Sequence, residues 1–193
     1  MKSIMNKEFF EITIKNSKFI GIAIPIKSKE EIKENINILK EKYKNATHYC
    51  YAFNFINDKG VSDDGEPNKT AGIPILTVIE GEDLINILVV VIRYFGGIKL
   101  GPGGLIRAYS NAAKGAINKS KKIDLINGFE VSITFDYTNE KEVNYLLKNS
   151  IIKNKEYTDN CTYIIETTKD ILDNIFNIVT INYCKEKIIS NIN

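Results

Sequence analysis

The hydrophobic pattern changes period along the chain, and each change predicts an element. Residues 87–92, Ile-Leu-Val-Val-Val-Ile, are apolar without interruption. That run is short for a helix and suits a strand buried on both faces. Residues 8–15 and 18–26 are rich in strand formers on either side of Asn16-Ser17, which predicts a hairpin. Ser28-Lys-Glu-Glu31 has the form of a capping box, and Ile32, Ile36, Leu39 and Tyr43 follow at helical spacing to an end near Asn45. Residues 46–56 alternate as a strand, with His48, Cys50, Ala52 and Asn54 on one face and Tyr49, Tyr51, Phe53 and Phe55 on the other. A turn follows at 57–60, and 73–79 predict a short buried helix with Pro74 in its first turn. Beyond residue 128 the pattern gives a strand over 129–137, a helix over 139–148, strands over 151–157 and 162–168, a helix carrying Leu172, Ile175, Phe176 and Val179, and a last strand over 187–192. This βαββαβ order is the ferredoxin-like plan.

The densest chemistry follows the uninterrupted apolar run, in Arg93-Tyr-Phe-Gly-Gly-Ile-Lys-Leu-Gly-Pro-Gly-Gly-Leu-Ile-Arg-Ala-Tyr-Ser. Gly96, Gly97, Gly101, Gly103 and Gly104 suit positive φ and close approach to the backbone. Pro102 fits the first position of a helix. Leu105, Ala108, Tyr109, Ala112, Ala113 and Ala116 share one side of that helix; Arg107, Ser110, Asn111, Lys114, Asn118 and Lys121 take the other. Strand, glycine loop and helix start together can offer free N–H groups to an anion. Arg93 and Arg107 are the only arginines among 26 basic residues, and arginine offers a planar fork for phosphate or carboxylate.

A second polar stretch, Ser62-Asp-Asp-Gly-Glu-Pro-Asn-Lys-Thr-Ala-Gly, packs Asp63, Asp64 and Glu66 into one loop, with Thr70 placed to cap the helix after it. The three acids have two readings: a site for a hard cation such as Mg²⁺, or caps for backbone N–H groups that also pair with Arg93 or Arg107. His48 and Cys50 share a strand face, which raises a thiol–imidazole pair, but nothing in the sequence supplies a third, orienting group.

Composition narrows the classes. Hydrophobic residues at 44% and charged residues at 26% describe an ordinary globular protein. The apolar runs are too short for a membrane span, and the charged residues 1–10 do not resemble a signal peptide, so the cytoplasm is the expected location. Cys50, Cys161 and Cys184 are odd in number, far apart and without a C-x-x-C pair, so neither a disulfide framework nor a zinc knuckle is suggested. Residues 1–128 hold 19 basic and 14 acidic side chains against 7 and 10 in 129–193, a bias compatible with a phosphate-bearing partner of the first part. Two domains are expected, 1–127 and 128–193.

Two nucleotide fingerprints fail on the glycine stretch. The Rossmann pattern needs glycine or alanine at Ile106, and the P-loop needs lysine at Pro102 and a hydroxyl at Gly103. The sequence instead resembles the YigZ/IMPACT family in Arg93-Tyr-Phe-Gly-Gly-Ile-Lys-Leu-Gly, Gly103-Gly-Leu-Ile-Arg-Ala-Tyr-Ser, Ser62-Asp-Asp-Gly-Glu-Pro and Thr70-Ala-Gly, with weaker motifs at 16–19 and 46–51. The resemblance implies an α+β chain of two domains: an N-terminal α/β domain similar to domain IV of elongation factor G, and a ferredoxin-like domain similar to domain V. It also implies a connection to translation. Eukaryotic members compete for an activator of a stress kinase, but they carry a further N-terminal domain, so that partner is not expected here. The chain departs from the family at Asn68-Lys69, where a small residue and glycine are usual, and at Pro102, where threonine is.

The expected function is a cytoplasmic protein that binds RNA or the ribosome and modulates translation without catalysis or cofactor, with a translation-associated protein as a further candidate partner. Arg93, Lys99, Arg107 and Lys114 are the expected phosphate contacts. The alternatives are a metal-assisted hydrolase built on Asp63, Asp64 and Glu66, and a protein–protein module in which the glycine stretch serves only the fold.

Overall fold

The structure, a computed structural model, describes residues 1–191 and divides into two compact units, Met1–Ile123 and Asp124–Asn193. The division falls slightly before the expected boundary after Asn127.

Unit 1 contains β1 (Lys2–Ile4), β2 (Glu8–Ile14), β3 (Ser17–Pro25), α1 (Glu30–Lys42), β4 (His48–Asn54), β5 (Lys59–Ser62), α2 (Gly72–Gly81), β6 (Ile87–Tyr94) and α3 (Pro102–Lys119). Its sheet is antiparallel throughout, in the order β2-β3-β6-β4-β5. The central position of β6 explains the unbroken apolar run. Ile87, Val89 and Val91 enter the core beneath α2 and α3, whereas Leu88, Val90 and Ile92 enter the core beneath α1. A strand covered on both faces has no polar side to show.

Helix α3 lies close to the sheet because its inner face is small. Ala108, Ala112, Ala113 and Ala116 are fully buried, and a side chain at Gly21 of β3 would collide with the Ala112 carbonyl. The expected inner and outer faces of α3 are observed with Arg107, Asn111, Lys114 and Asn118 exposed, but Lys121, expected on the outer face, lies beyond the helix end at Lys119. Helix α1 differs from expectation at its start. Ser28 does not complete a capping box; the Glu31 carboxylate accepts the Lys27 N–H at 3.1 Å, and no side chain caps the helix.

Strand β7 (Lys122–Phe135) begins in the last two residues of unit 1 and continues into unit 2, which also contains α4 (Glu140–Leu146), β8 (Ile151–Tyr157), β9 (Cys161–Thr167), α5 (Lys169–Ile175) and β10 (Thr180–Ser190). These strands pair antiparallel in the order β10-β7-β9-β8, the βαββαβ arrangement expected. Val131, Ile133 and Phe135 of β7 pack with Val143, Leu147, Leu172 and Ile175. Phe176, expected on the inner side of α5, is exposed because the helix ends before it. Strand β10 starts at Thr180, well before the expected Lys187; the expected end at Ile192 lies outside the described residues.

Candidate functional site

The two motif-bearing stretches converge on one buried carboxylate. Glu66, in the loop between β5 and α2, has a side chain only 3% exposed, and its Oε1 lies 2.6 Å from Arg93 Nη1. The Tyr109 hydroxyl of α3 donates to the same oxygen at 2.7 Å. Arg93 ends the buried part of β6, and the antiparallel register sets it opposite Phe19 on β3 and His48 on β4. The guanidinium lies over the Phe19 and Phe95 rings, each 5.3 Å from the centroid. Its Nη2 reaches Ser17 Oγ at 3.4 Å, and its buried Nε has no hydrogen-bond partner among the described residues. Such a pair loses hydration on both ions, so it holds because Tyr109 and Ser17 supply further hydrogen bonds.

The rest of the polar cluster is ordered around Glu66. His48 Nδ1 lies 2.8 Å from the Asp64 carbonyl oxygen; a carbonyl only accepts, so this nitrogen carries the hydrogen. Nε2 then faces Glu66 Oε1 at 3.9 Å. Cys50 Sγ lies 3.0 Å from the Asp63 carbonyl oxygen and 3.4 Å from the Tyr109 hydroxyl. Burial pushes the Cys50 thiol up to about 12, against the opposing hydrogen bond to Tyr109, and burial likewise raises Tyr109. The thiol is therefore a poor nucleophile at neutral pH. His48 and Cys50 do share the predicted face, but each is turned to the acidic loop instead of to the other.

The three acids have different tasks. Asp63 accepts from the N–H groups of Lys69 at 2.8 Å, Ala71 at 3.0 Å and Gly72 at 2.8 Å, and so caps α2. Burial works against its charge, but those N–H groups outweigh burial and hold its pKa below the ordinary aspartate value. Thr70, the predicted cap, instead donates to the Pro67 carbonyl at 2.6 Å. Asp64 Oδ2 accepts the Tyr49 N–H at 2.6 Å. Asp63, Asp64 and Glu66 thus point at separate partners, and among the described residues no group of three acids, histidines or cysteines is placed to hold a metal ion. Lys69, where the resemblance expects glycine, has φ +63°, in the region that glycine favours.

The predicted phosphate contacts separate into two environments. Arg93 is 5% exposed and tied to Glu66, so it is not a surface cation; the strand register and the acid opposite it decide this. Lys99, Arg107 and Lys114 are exposed, and none forms an ion pair or side-chain hydrogen bond among the described residues. The Glu82 carboxyl, whose pKa is lowered first by its hydrogen bond from Lys122, is lowered further by the nearby charge of Lys114. Arg107 Nη1 would lie 3.7 Å from a side chain at Gly103, so the guanidinium reaches back over the first turn of α3. That turn has no acidic residue and no side-chain cap.

The five glycines also divide. Gly97 and Gly101 have φ of +84° and +71°, while Gly103 and Gly104 lie in the first turn of α3. At Gly96 any side chain would collide with the Asn16 backbone, and its N–H donates to Ser17 Oγ at 3.1 Å. Ser17 therefore joins the glycine loop to the Arg93 guanidinium. Sequence reasoning missed Ser17 and Tyr109 as parts of this site; Tyr109 reads as one more apolar position of α3, and its hydroxyl is the only signal.

Comparison with known proteins places these features in a family. A family model described as the Impact N-terminal domain matches residues 15–117. The chain is 35% identical to the IMPACT family member YvyE of Bacillus subtilis (strain 168), over 81% of this chain and 76% of the relative. It is 38% identical to the IMPACT family member in pol 5'region of Thermus thermophilus, over 70% of this chain and 74% of that one. A crystal structure of a hypothetical protein superposes with a TM-score of 0.66 and 25% identity, covering 93% of this chain and 95% of that one.

Proposed function

The chain belongs to the IMPACT family, and on that premise we propose that it is a cytoplasmic RNA- or ribosome-binding protein that modulates translation without catalysis of its own. One observation carries the reading: Lys99, Arg107 and Lys114 lie exposed on and before the polar face of α3, and none forms an ion pair among the described residues. Cations left unpaired on one face are suited to a polyanion, and each phosphate they neutralise releases counterions. The free N–H groups at the uncapped start of α3 add to the same potential.

In this reading unit 1 is related to domain IV of elongation factor G and unit 2 to domain V, which fits the βαββαβ order of unit 2. Arg93 no longer belongs to the interface. Its part is to hold the acidic loop and the glycine loop together through Glu66 and Ser17, so that the cations of α3 stand on a fixed support. The metal-assisted hydrolase is not retained, because Asp63, Asp64 and Glu66 are engaged with separate internal partners.

Filter binding with RNA over a salt series, together with sedimentation of ribosomes, tests the proposal. Affinity that falls with salt, and protein that travels with the ribosome, are the expected results. Salt-independent or absent binding in the first and protein left behind in the second would remove it.

A further inference from the structure

Phe95 stands out among the exposed apolar side chains because it is held in place. It directly follows β6, and its ring is 46% exposed. Its N–H donates to Thr47 Oγ1 at 2.9 Å. The next residue, Gly96, is fixed by Ser17 and by its close approach to Asn16. On one side the ring meets the Arg93 guanidinium, which Glu66 in turn anchors. An aromatic ring at the surface has therefore already lost much of the conformational freedom that binding would otherwise cost.

The neighbouring residues have the matching chemistry. Ile98 is 46% exposed and Ile106 is 41% exposed. Lys99 and Arg107 alternate with them in sequence, and Arg107 reaches back to the first turn of α3. Single exposed apolar residues are common and carry no message. A fixed ring in the same loop as Lys99, which leads into the helix that carries Arg107, is a more specific combination, since single-stranded nucleic acid binds by stacking bases on aromatic rings while cations follow the backbone. Paired duplex RNA keeps its bases stacked and offers no face to such a ring.

We infer that Phe95 is the base-stacking residue of an interface for unpaired RNA, with Lys99 and Arg107 on the flanking phosphates. The inference rests on the RNA-binding reading above and specifies which form of RNA is bound and by which side chain. Arg93 serves it as a positioning residue, behind the ring and out of contact with the ligand.

The test uses the full chain and fluorescein-labelled octauridylate, read by fluorescence anisotropy over a salt series, with a double-stranded RNA of the same length as competitor. Phe95→Leu should weaken binding about tenfold or more with an unchanged salt slope. Arg107→Ala should reduce the slope by about 0.7. The sequence contains no tryptophan, so Phe95→Trp provides a single intrinsic reporter. It should bind octauridylate more tightly than the leucine variant and lose fluorescence as it does so, which also guards against misfolding in the leucine variant. Unchanged affinity in Phe95→Leu alongside a reduced slope in Arg107→Ala overturns the stacking role and leaves the RNA-binding reading standing. Duplex that competes as well as single strand also overturns it. Absence of any binding to octauridylate or duplex, or binding to polyglutamate in their place, removes both.

Discussion

The two arginines of the chain lie fourteen positions apart in one motif and occupy opposite physical environments. Arg93 is inside unit 1, set over two phenylalanine rings and paired with Glu66. Arg107 is outside, with no acidic partner among the described residues. The same side chain thus serves architecture in one place and is free for a ligand in the other. The difference comes from the partner elements: β6 runs through the middle of a sheet and delivers Arg93 to the acidic loop, while α3 turns Arg107 away from its alanine face. The motif is therefore two devices in one stretch, an internal clamp and an external cationic surface.

The comparison is broken most directly at the clamp. Arg93→Ala or Glu66→Ala should each destabilise unit 1 by about 3–5 kcal/mol, because each leaves an uncompensated buried charge. Chemical denaturation measures this, and a double variant that replaces both by apolar residues should lose less than the sum of the two. A loss below about 0.5 kcal/mol in either single variant would mean that Arg93 is not held as described.

Next in size is the cap on α2. Asp63→Ala should cost about 1–2 kcal/mol, the range for losing an N-cap. The pKa of Asp63 is depressed in the folded state by its three N–H donors, against the effect of burial. Its contribution is therefore present above the unfolded value of about 3.9 and lost as pH falls through the folded value. Urea titrations at neutral pH and in the acid range should show the difference between parent and Asp63→Asn shrinking as the acid is protonated.

A smaller effect of opposite sign is expected at Lys69, whose backbone is in the left-handed region. Lys69→Gly should stabilise the protein by about 0.5 kcal/mol, the relief of strain being partly offset by the greater freedom of glycine in the unfolded chain. Thermal melts would register it as a raised Tm. The smallest stability effect belongs to Arg107→Ala, expected within about 0.5 kcal/mol of the parent. Its consequence should appear in the salt dependence of RNA binding, which completes the contrast with Arg93.

Much of the fold was legible because burial leaves a periodic trace. The continuous run of β6, the alanine face of α3 and the alternation of β4 each have one physical explanation, and each is observed. The short strands β1 and β5 left no such trace. They pair through backbone groups, which every residue has, and their side chains need not alternate strongly. Strand β10 is mostly exposed along its length, so its first half gave no buried pattern from which to predict it.

The site was legible in composition but not in pairing. That the acids would cap or pair was open to reading, but the choice of Asp63 over Thr70 as the cap depends on where the loop folds back. The choice of Glu66 as the partner of Arg93 depends on a sheet register that local sequence does not specify. Ser17 and Tyr109 were hidden for the same reason, since each acts across a separation of many residues.

Glu66 also bears on the order in which unit 1 assembles and opens. It is 27 positions from Arg93 and 43 from Tyr109, and a carboxylate leaves water at great cost unless its cation and donor are already present. Its loop therefore docks only after β6 has joined the sheet and α3 has packed on it. In the reverse direction, releasing the loop breaks no pairing of the central strand, so it opens at a lower free energy than the sheet. Amide hydrogens of Lys69 and Gly72 should accordingly exchange with solvent ahead of that of Val90, making the acidic loop later to arrive and earlier to leave than the central strand.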